Sequence, residues 1–240
     1  MVECFSYLFR KGDFMKVSIA LAAYNGEKYI EEQLRSILEQ LRGDDEIIVS
    51  DDNPSGGTRA VVESMNDPRI HYVEGPGKGV IKNFENAIKH TTGDVVFLSD
   101  QDDVWLPGKV IAVCEEFKNG AMVVLHDAKV TDENLNVVEE SFFKLNGSAP
   151  GFWKNIKKNS YMGCCMAFDA TMKRFVLPFP NNLPMHDQWI GLKAEQNGKV
   201  VFLDTPYLLY RRNDDSLTGN PTSFAQKLKW RINIMRDTIL

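Results

Sequence analysis

The chain has 240 residues, 43% of them hydrophobic, which is enough to build the core of one α/β domain. Its 28 basic and 33 acidic side chains give a formal net charge of −5, so composition gives no reason to expect a nucleic-acid partner. No apolar run approaches the ~18 residues of a membrane-spanning helix, and the opening MVECFSYLFRKGDF is too broken by charge for a signal peptide.

Residues 1–14 read as an N-terminal extension, with Met15 a candidate start because the periodic pattern begins just after it. KVSIALA (16–22) is a nearly continuous apolar run, as in a strand buried on both faces. YIEEQLRSILEQL (29–41) carries helical spacing through Ile30, Leu34, Ile37, Leu38 and Leu41. EIIVS (46–50) is a second strand ending in Asp51-Asp52, TRAVVESM (58–65) a short helix, and RIHYVE (69–74) a third strand. The flexible GPGKG (75–79) leads into a helix over 80–90, and DVVFLS (94–99) is the fourth strand. Pro107 sits where the next helix begins and Gly120 where it ends. AMVVLHDAKV (121–130) is another strand. This alternation predicts a mostly parallel sheet flanked by helices, a Rossmann-like single domain.

Beyond residue 130 the rhythm loosens. SYMGCCMAFD (160–169) reads as a strand, ATMKRFV as a helical turn and HDQWIGLKAEQNG (186–198) as a helix. KVVFLDTPYLLYRR (199–212) reads as two strands broken at Pro206. Residues 15–220 are taken as one domain with two halves. Residues 221–240 form a basic amphipathic helix with Lys227, Lys229, Arg231 and Arg236 among Phe224, Leu228, Trp230, Ile232 and Ile234. That helix fits an anionic membrane surface, a docked position on the body, or a homodimer contact. It stops at Leu240 without a cap, as in a chain cut short. Cys4, Cys114, Cys164 and Cys165 form no C-x-x-C pair, so a reduced, cytoplasmic chain is expected, peripheral to the membrane if the helix binds there.

Open α/β sheets bind ligands at the carboxyl ends of their strands. Three predicted strands end in polar clusters: Ala23-Tyr24-Asn25, Asp51-Asp52-Asn53, and Asp100 to Asp103 in LSDQDDVW. No G-x-G-x-x-G follows the first strand, and GPGKGV does not complete a Walker A loop. The acidic cluster fits a divalent metal, Mn²⁺ or Mg²⁺, because carboxylates are hard ligands that share such ions with substrate phosphates. The competing reading of LSDQDDVW is a solvated turn. Tyr24 and Trp105 fit packing as well as ligand contact. Asn25-Gly26 is chiefly a turn signal. His71, His90 and His126 have no spaced partners and read as structural or exposed.

VSIALAAYNGEKYIEEQLRSILEQ, EIIVSDDNPSGGT and GDVVFLSDQDDVWLPGK resemble, in order and spacing, the N-terminal half of a family 2 glycosyltransferase of the glycosyltransferase A fold. MHDQWIGLKAEQNGKVVFLDTPYLLYRR resembles the acceptor half, particularly of bacterial rhamnosyltransferase-like members. The resemblance covers about residues 16–215 and implies an inverting transferase that moves a sugar from a UDP- or dTDP-sugar to a saccharide or lipid-linked acceptor. It implies that Ala22, Ala23 and Tyr24 line the nucleobase pocket and Asp51 hydrogen-bonds the base. Lys82 and Asn83 would stand near base and ribose. Asp100 would join the nucleotide contacts, and Asp102 and Asp103 the metal. Asp187 would be the general base, with His186 and Trp189 shaping the acceptor side. Read without that resemblance, Asp187 is better explained as a helix N-cap.

Two departures stand out. NPSGG replaces the family's usual Gly-Ser-x-Asp-like turn, and Asn213 stands where relatives often have a His near the metal or phosphate. Arg211 and Arg212 are candidates for the diphosphate instead, because Arg forks match phosphate oxygens. A nucleotidyltransferase would also use a parallel sheet and a carboxylate-bound metal, but AAYNGEK is a poor Gly-rich loop for it. A sugar-nucleotide-binding module without turnover is the non-enzymatic rival.

Overall fold

A computed structural model describes residues 15–212 and 224–239. Asn213 and the extension 1–14 lie outside the described residues, as do the side chains of Phe224 and Lys227. The elements follow the expected alternation through β1 (Val17–Ala23), α1 (Ile30–Leu38), β2 (Glu46–Asp51), α2 (Thr58–Ser64), β3 (Ile70–Glu74), α3 (Val80–His90) and β4 (Val95–Ser99). After these come β5 (Val104–Trp105), α4 (Lys109–Lys118), β6 (Ala121–Thr131), β7 (Val137–Glu139), α5 (Phe142–Asn146), α6 (Phe152–Lys157) and β8 (Met166–Asp169). The described chain ends with α7 (Lys173–Val176), α8 (His186–Asn197), β9 (Lys199–Arg211) and α9 (Phe224–Ile239).

The sheet runs β3-β2-β1-β4-β8-β6-β9-β5, with β7 added beside β6. Pairings from β3 to β4 are parallel, β8 enters antiparallel, and β6 and β9 are again parallel to each other. Thus β1, β2, β3, β4, β6 and β9 share one direction, and the fold is the α/β, mostly parallel one expected.

The apolar run of β1 explains itself in packing. Val17, Ile19, Leu21 and Ala23 enter one core cluster with Leu34 and Ile37 of α1 and Val110, Val113 and Phe117 of α4. Ala20 and Ala22 face the opposite cluster, with Phe84 and Ile88 of α3 and Ile190 and Leu192 of α8. Successive strand residues point to opposite faces, so a strand covered on both sides must be apolar throughout.

Three expectations need correction. Residues 160–169 are not one strand: a 3₁₀ turn over Gly163–Cys165 precedes the four-residue β8. Residues 199–211 are one strand rather than two. Its register against β6 shifts between His126 and Asp127, where Pro206 pairs with Asp127, so an irregularity absorbs the proline that lacks an N–H. The fourth long helix begins at Lys109, after Gly108 in the left-handed region at φ 88°, and Pro107 lies outside it.

The C-terminal helix docks on the body. Ile234 is buried in the core facing α3 and α8. The carbonyl of Thr238 accepts from Lys193 and Gln196 of α8, and Arg231 donates to the Lys157 carbonyl at the end of α6. Leu228 and Ile232 remain exposed. Among the described residues, no helix is long and apolar enough to cross a membrane.

Candidate active site

The parallel strands deliver their carboxyl ends to one edge, and the polar clusters gather there. Gln101, the middle residue of Asp100-Gln101-Asp102, clamps the first loop. Its Oε1 accepts from the Tyr24 N–H at 2.8 Å and its Nε2 donates to the Tyr24 carbonyl at 3.0 Å. The loop after β1 and the acidic loop after β4 are thereby one unit. Gly26 permits this, because a Cβ there would collide with the Gln101 amide. The Tyr24 ring is 60% exposed, which rules out a packing role for it.

Behind this edge, Asn83 of α3 ties β1 to β2. Its Nδ2 donates to the carbonyls of Ala23 and Ser50, both at 2.9 Å, and its Oδ1 accepts from the Ser50 hydroxyl. Asp51 is fully buried, accepting from the Tyr72 hydroxyl at 3.0 Å and from the Asn53 N–H at 3.1 Å. Burial and this bond push the Tyr72 phenol up to about 12. The neighbouring Asp52 accepts from the N–H groups of Gly77 and Gly79 at 2.7 and 2.6 Å. A carboxylate of the chain therefore fills the Gly-rich cradle before α3, where a phosphate loop would hold a phosphate.

The acidic loop forms the centre. One oxygen each of Asp100 and Asp103 and the Sγ of Cys164 lie within 4.8 Å of one another. Asp103 is buried. Its Oδ1 accepts from the Arg211 N–H at 3.0 Å, while its Oδ2 is enclosed with no hydrogen-bond partner. Burial, then the charges of Asp102 and Asp187, push the Asp100 carboxyl up to about 7. Burial and the neighbouring carboxylates raise Asp103 well above the usual range. Lys109 stands behind the cluster, wholly buried, donating to the Cys164 carbonyl at 3.0 Å with its ammonium 3.7 Å from the Trp105 ring centre. Burial lowers its amine to about 8, against the pull of Cys165, Cys164, Asp103 and Asp100. Trp105 is a packing residue, buried and 5.5 Å from Phe97.

This donor set fits a divalent cation. Carboxylates pushed up by burial and then by one another, with one buried oxygen left unpartnered, are what a hard cation relieves. Asp100, Asp102 and Asp103 would hold it.

Asp187 faces the cluster from the first turn of α8. It does not cap the helix; Met185 occupies that position. Asp187 Oδ1 accepts from Asn159 Nδ2 at 3.0 Å and from the Gln188 N–H at 2.6 Å. Burial lifts its carboxyl to about 6, opposed by those hydrogen bonds. Its charge in turn raises Asp100, so the two carboxylates lie near enough to feel each other.

Other expected residues do different work here. Lys82 donates to Glu85 at 2.7 Å and to the Phe179 carbonyl at 2.8 Å, within the protein. Trp189 is a core residue: it is 4% exposed and donates to the Val176 carbonyl at 2.9 Å. A side chain so enclosed offers no surface to an acceptor. His186 is buried, stacked on Phe84 at 4.0 Å, and lowered to about 3 by burial, so it is neutral. Arg211 is a brace. Its guanidinium donates to the carbonyls of Asp102 and Glu133 and to Glu32, and lies 4.7 Å from the Tyr29 ring centre. Each of its three nitrogens is taken by the chain itself, which removes the expected diphosphate role. Arg212 is exposed. Among the histidines, His126 is buried, while His71 and His90 are exposed.

Sequence reasoning passed over Gln101, Lys109, Asn159 and Cys164. Gln101 lay inside the motif itself. Lys109 carried a signal, because it opens the helical apolar pattern Val110, Val113, Phe117. Asn159 and Cys164 lie where no periodicity marks them.

Comparison with known proteins gives the family and the fold. Residues 18–175 match the family described as Glycosyl transferase family 2. The chain is 28% identical to the dTDP-rhamnosyl transferase RfbG of Shigella flexneri, over 90% of this chain and 79% of that one. It is 34% identical to the putative teichuronic acid biosynthesis glycosyltransferase TuaG of Bacillus subtilis, over 88% and 84% of the two chains. In fold it is similar to S. aureus TarS, solved with UDP-GlcNAc, at a TM-score of 0.73 and 21% identity. That match covers 92% of this chain and 66% of the TarS chain. The chain belongs to glycosyl transferase family 2 and is a nucleotide-sugar-dependent glycosyltransferase.

Proposed function

We propose that the chain transfers one sugar, with inversion, from a nucleoside diphosphate sugar to a hydroxyl of a saccharide or lipid-linked saccharide in surface-polysaccharide synthesis. The observation that carries this is Asp187, a buried carboxylate lifted to about 6 and facing the acidic loop. A general base works best with its pKa near the working pH. At pH 7 Asp187 is mostly ionised and can take the acceptor proton as the oxygen attacks the anomeric carbon. Because one base acts from the face opposite the departing diphosphate, the configuration inverts.

The remaining residues position. The exposed Tyr24 ring is the surface offered to a base, and the Gln101 clamp fixes it relative to Asp100 and Asp102. Asn83 and Asp51 hold the strand ends beneath. A divalent cation at Asp100, Asp102 and Asp103, when bound, supplies the Lewis acidity that stabilises charge on the leaving diphosphate. The likeness to a dTDP-rhamnosyl transferase supports a dTDP-sugar, and the UDP-GlcNAc complex of TarS a UDP-sugar. The outer face of α9, with Leu228, Lys229 and Ile232, supports contact with an anionic membrane on its cytoplasmic side.

The test measures transfer and nucleotide binding in two variants. Asp187→Asn abolishes transfer and leaves metal-dependent nucleotide binding intact; Asp102→Asn loses both. Full transfer in both variants ends the proposal.

A further inference from the structure

We propose that the outward face of α6, Trp153 with Lys154 and Lys157, docks the protein on an anionic bilayer, with the exposed stripe of α9 beside it. The inference rests on the membrane contact read from α9. It moves the centre of that contact to α6, and it makes the acceptor a lipid-linked saccharide presented from the same bilayer.

Exposure is the first argument. Trp153 is 67% exposed, although the other side of its helix is firmly packed. Asn155 and Ile156 are buried, and the Asn155 carbonyl accepts from Gln188 of α8 at 2.7 Å. The Gly151 N–H just before α6 donates to Glu195 of α8 at 2.6 Å. The helix is therefore held with its indole outward. Lys154 and Lys157 are exposed on the same helix, Lys157 one turn from Trp153. An indole among ammonium groups suits the headgroup layer, because the ring is amphipathic and the cations meet lipid phosphates.

Charge is the second, independent argument. From Ser141 to Phe168 the chain carries Lys144, Lys154, Lys157 and Lys158 and no Asp or Glu, in a protein of net charge −5. Residues 228–236 add Lys229, Arg231 and Arg236, again without an acid. Glu195 is spent on the Gly151 N–H and on the Tyr161 hydroxyl at 3.1 Å, and Asp237 pairs with Arg236. Lys158 turns back to the Asn146 carbonyl at 2.7 Å, which leaves Lys154 and Lys157 to lead. A basic face on an acidic protein is what an anionic surface selects.

Position is the third. Arg231 of α9 donates to the Lys157 carbonyl at 2.6 Å, so the two helices meet at the end of α6. Leu228 and Ile232, one turn apart on α9, are exposed. In the other direction, Asn159 stands two residues past α6 and donates to Asp187. Two extended residues span at most about 7 Å. A bilayer under α6 thus lies close to the proposed base, where a lipid-linked saccharide can reach it.

The experiment sediments the full chain with vesicles of phosphatidylcholine, alone or mixed with phosphatidylglycerol. Binding is expected to the mixed vesicles only, and salt should weaken it. Lys154→Gln/Lys157→Gln should weaken it by roughly fivefold for each lysine. Lys118→Gln/Lys199→Gln removes the same charge from the end of α4 and the start of β9, and should bind like the wild type. Brominated acyl chains should quench tryptophan fluorescence in the wild type and in Leu228→Ser/Ile232→Ser, but far less in Trp153→Ala. The two wild-type vesicle measurements decide even if a variant does not fold.

No binding to mixed vesicles, equal binding to both lipids, or an equal loss in the control pair overturns the proposal. Capture by heparin and not by vesicles also overturns it, and makes the patch a site for an acidic glycan. Quenching unchanged in Trp153→Ala overturns the role of α6 and leaves the membrane contact to α9. Vesicle binding needs no sugar transfer, so the two readings fail separately. A chain that binds vesicles and transfers nothing defeats only the transferase mechanism, and transfer without vesicle binding defeats only this inference.

Discussion

Asn159 Nδ2 donates a 3.0 Å hydrogen bond to Asp187 Oδ1 and so holds down the pKa of the proposed base. A hydrogen bond to a charged group contributes about 1.5–3 kcal/mol, and one pKa unit is about 1.36 kcal/mol. Asn159→Ala should therefore move the acidic limb of kcat/KM upward by about one pH unit from its wild-type position near 6. Transfer at pH 8 should fall far less than at pH 6. An unmoved limb would show that Asp187 is not the group titrating.

The same carboxyl makes a stability prediction of definite sign. Its pKa rises on folding from 3.8 to about 6. The stability this group contributes is thus present below pH 4 and is lost as pH rises through 6. Asp187→Asn should be more stable than the wild type at pH 8, by roughly 3 kcal/mol, with the difference fading by pH 4. Urea melts at the two pH values read it directly; a difference independent of pH removes the buried charge as its cause.

Gln101 joins the base loop to the acidic loop through both backbone groups of Tyr24. Gln101→Ala removes two hydrogen bonds, worth roughly 1 kcal/mol each. Nucleoside diphosphate binding should weaken while affinity for inorganic pyrophosphate with metal changes little, because only the relation of base to phosphates is lost. Gly26→Ala should reproduce the defect by driving the amide out. Equal losses for both ligands would make Gln101 merely structural.

Arg211 and Arg212 should behave as opposites. Arg211 is 5% exposed and holds Glu32, Glu133 and Asp102 together. Arg211→Met leaves those acceptors unfilled and should cost several kcal/mol, on the order of the 3–5 kcal/mol of a broken buried pair, less because Glu32 is half exposed. Arg212→Ala should leave thermal stability unchanged. Thermal melts of the two variants, with and without nucleotide, check this.

Trp189 tests the acceptor-side expectation. Trp189→Phe keeps most of the core contact and loses the bond to the Val176 carbonyl. Stability should fall by about 1 kcal/mol, with KM for the acceptor unchanged. A raised acceptor KM at unchanged stability would return Trp189 to the acceptor surface.

The readable part of this chain was local. A strand buried on both faces has to be apolar throughout, so β1, β2 and β4 announced themselves. The amphipathic spacing of α1 and α3 did the same. Asp100 to Asp103 could be placed because they follow β4 directly, and strand ends are where such sheets bind. The second half was poorly legible because its elements are short or irregular. The turn at Gly163–Cys165 looks apolar enough for a strand, and the shift at Pro206 is absorbed only because β6 lies beside it.

What sequence alone determined, then, was the order of layers and the position of the acidic loop, since both follow from the period of neighbouring residues. The use of each side chain was decided by the tertiary structure. Lys109 reaches the Cys164 carbonyl across 55 positions, and the Arg211 N–H reaches Asp103 across 108. Nothing in the spacing of LSDQDDVW says that a buried ammonium stands behind it, or that Arg211 is spent on Glu32. Those facts come from strand order: β8 inserts between β4 and β6, and β9 brings its carboxyl end back to the acidic loop.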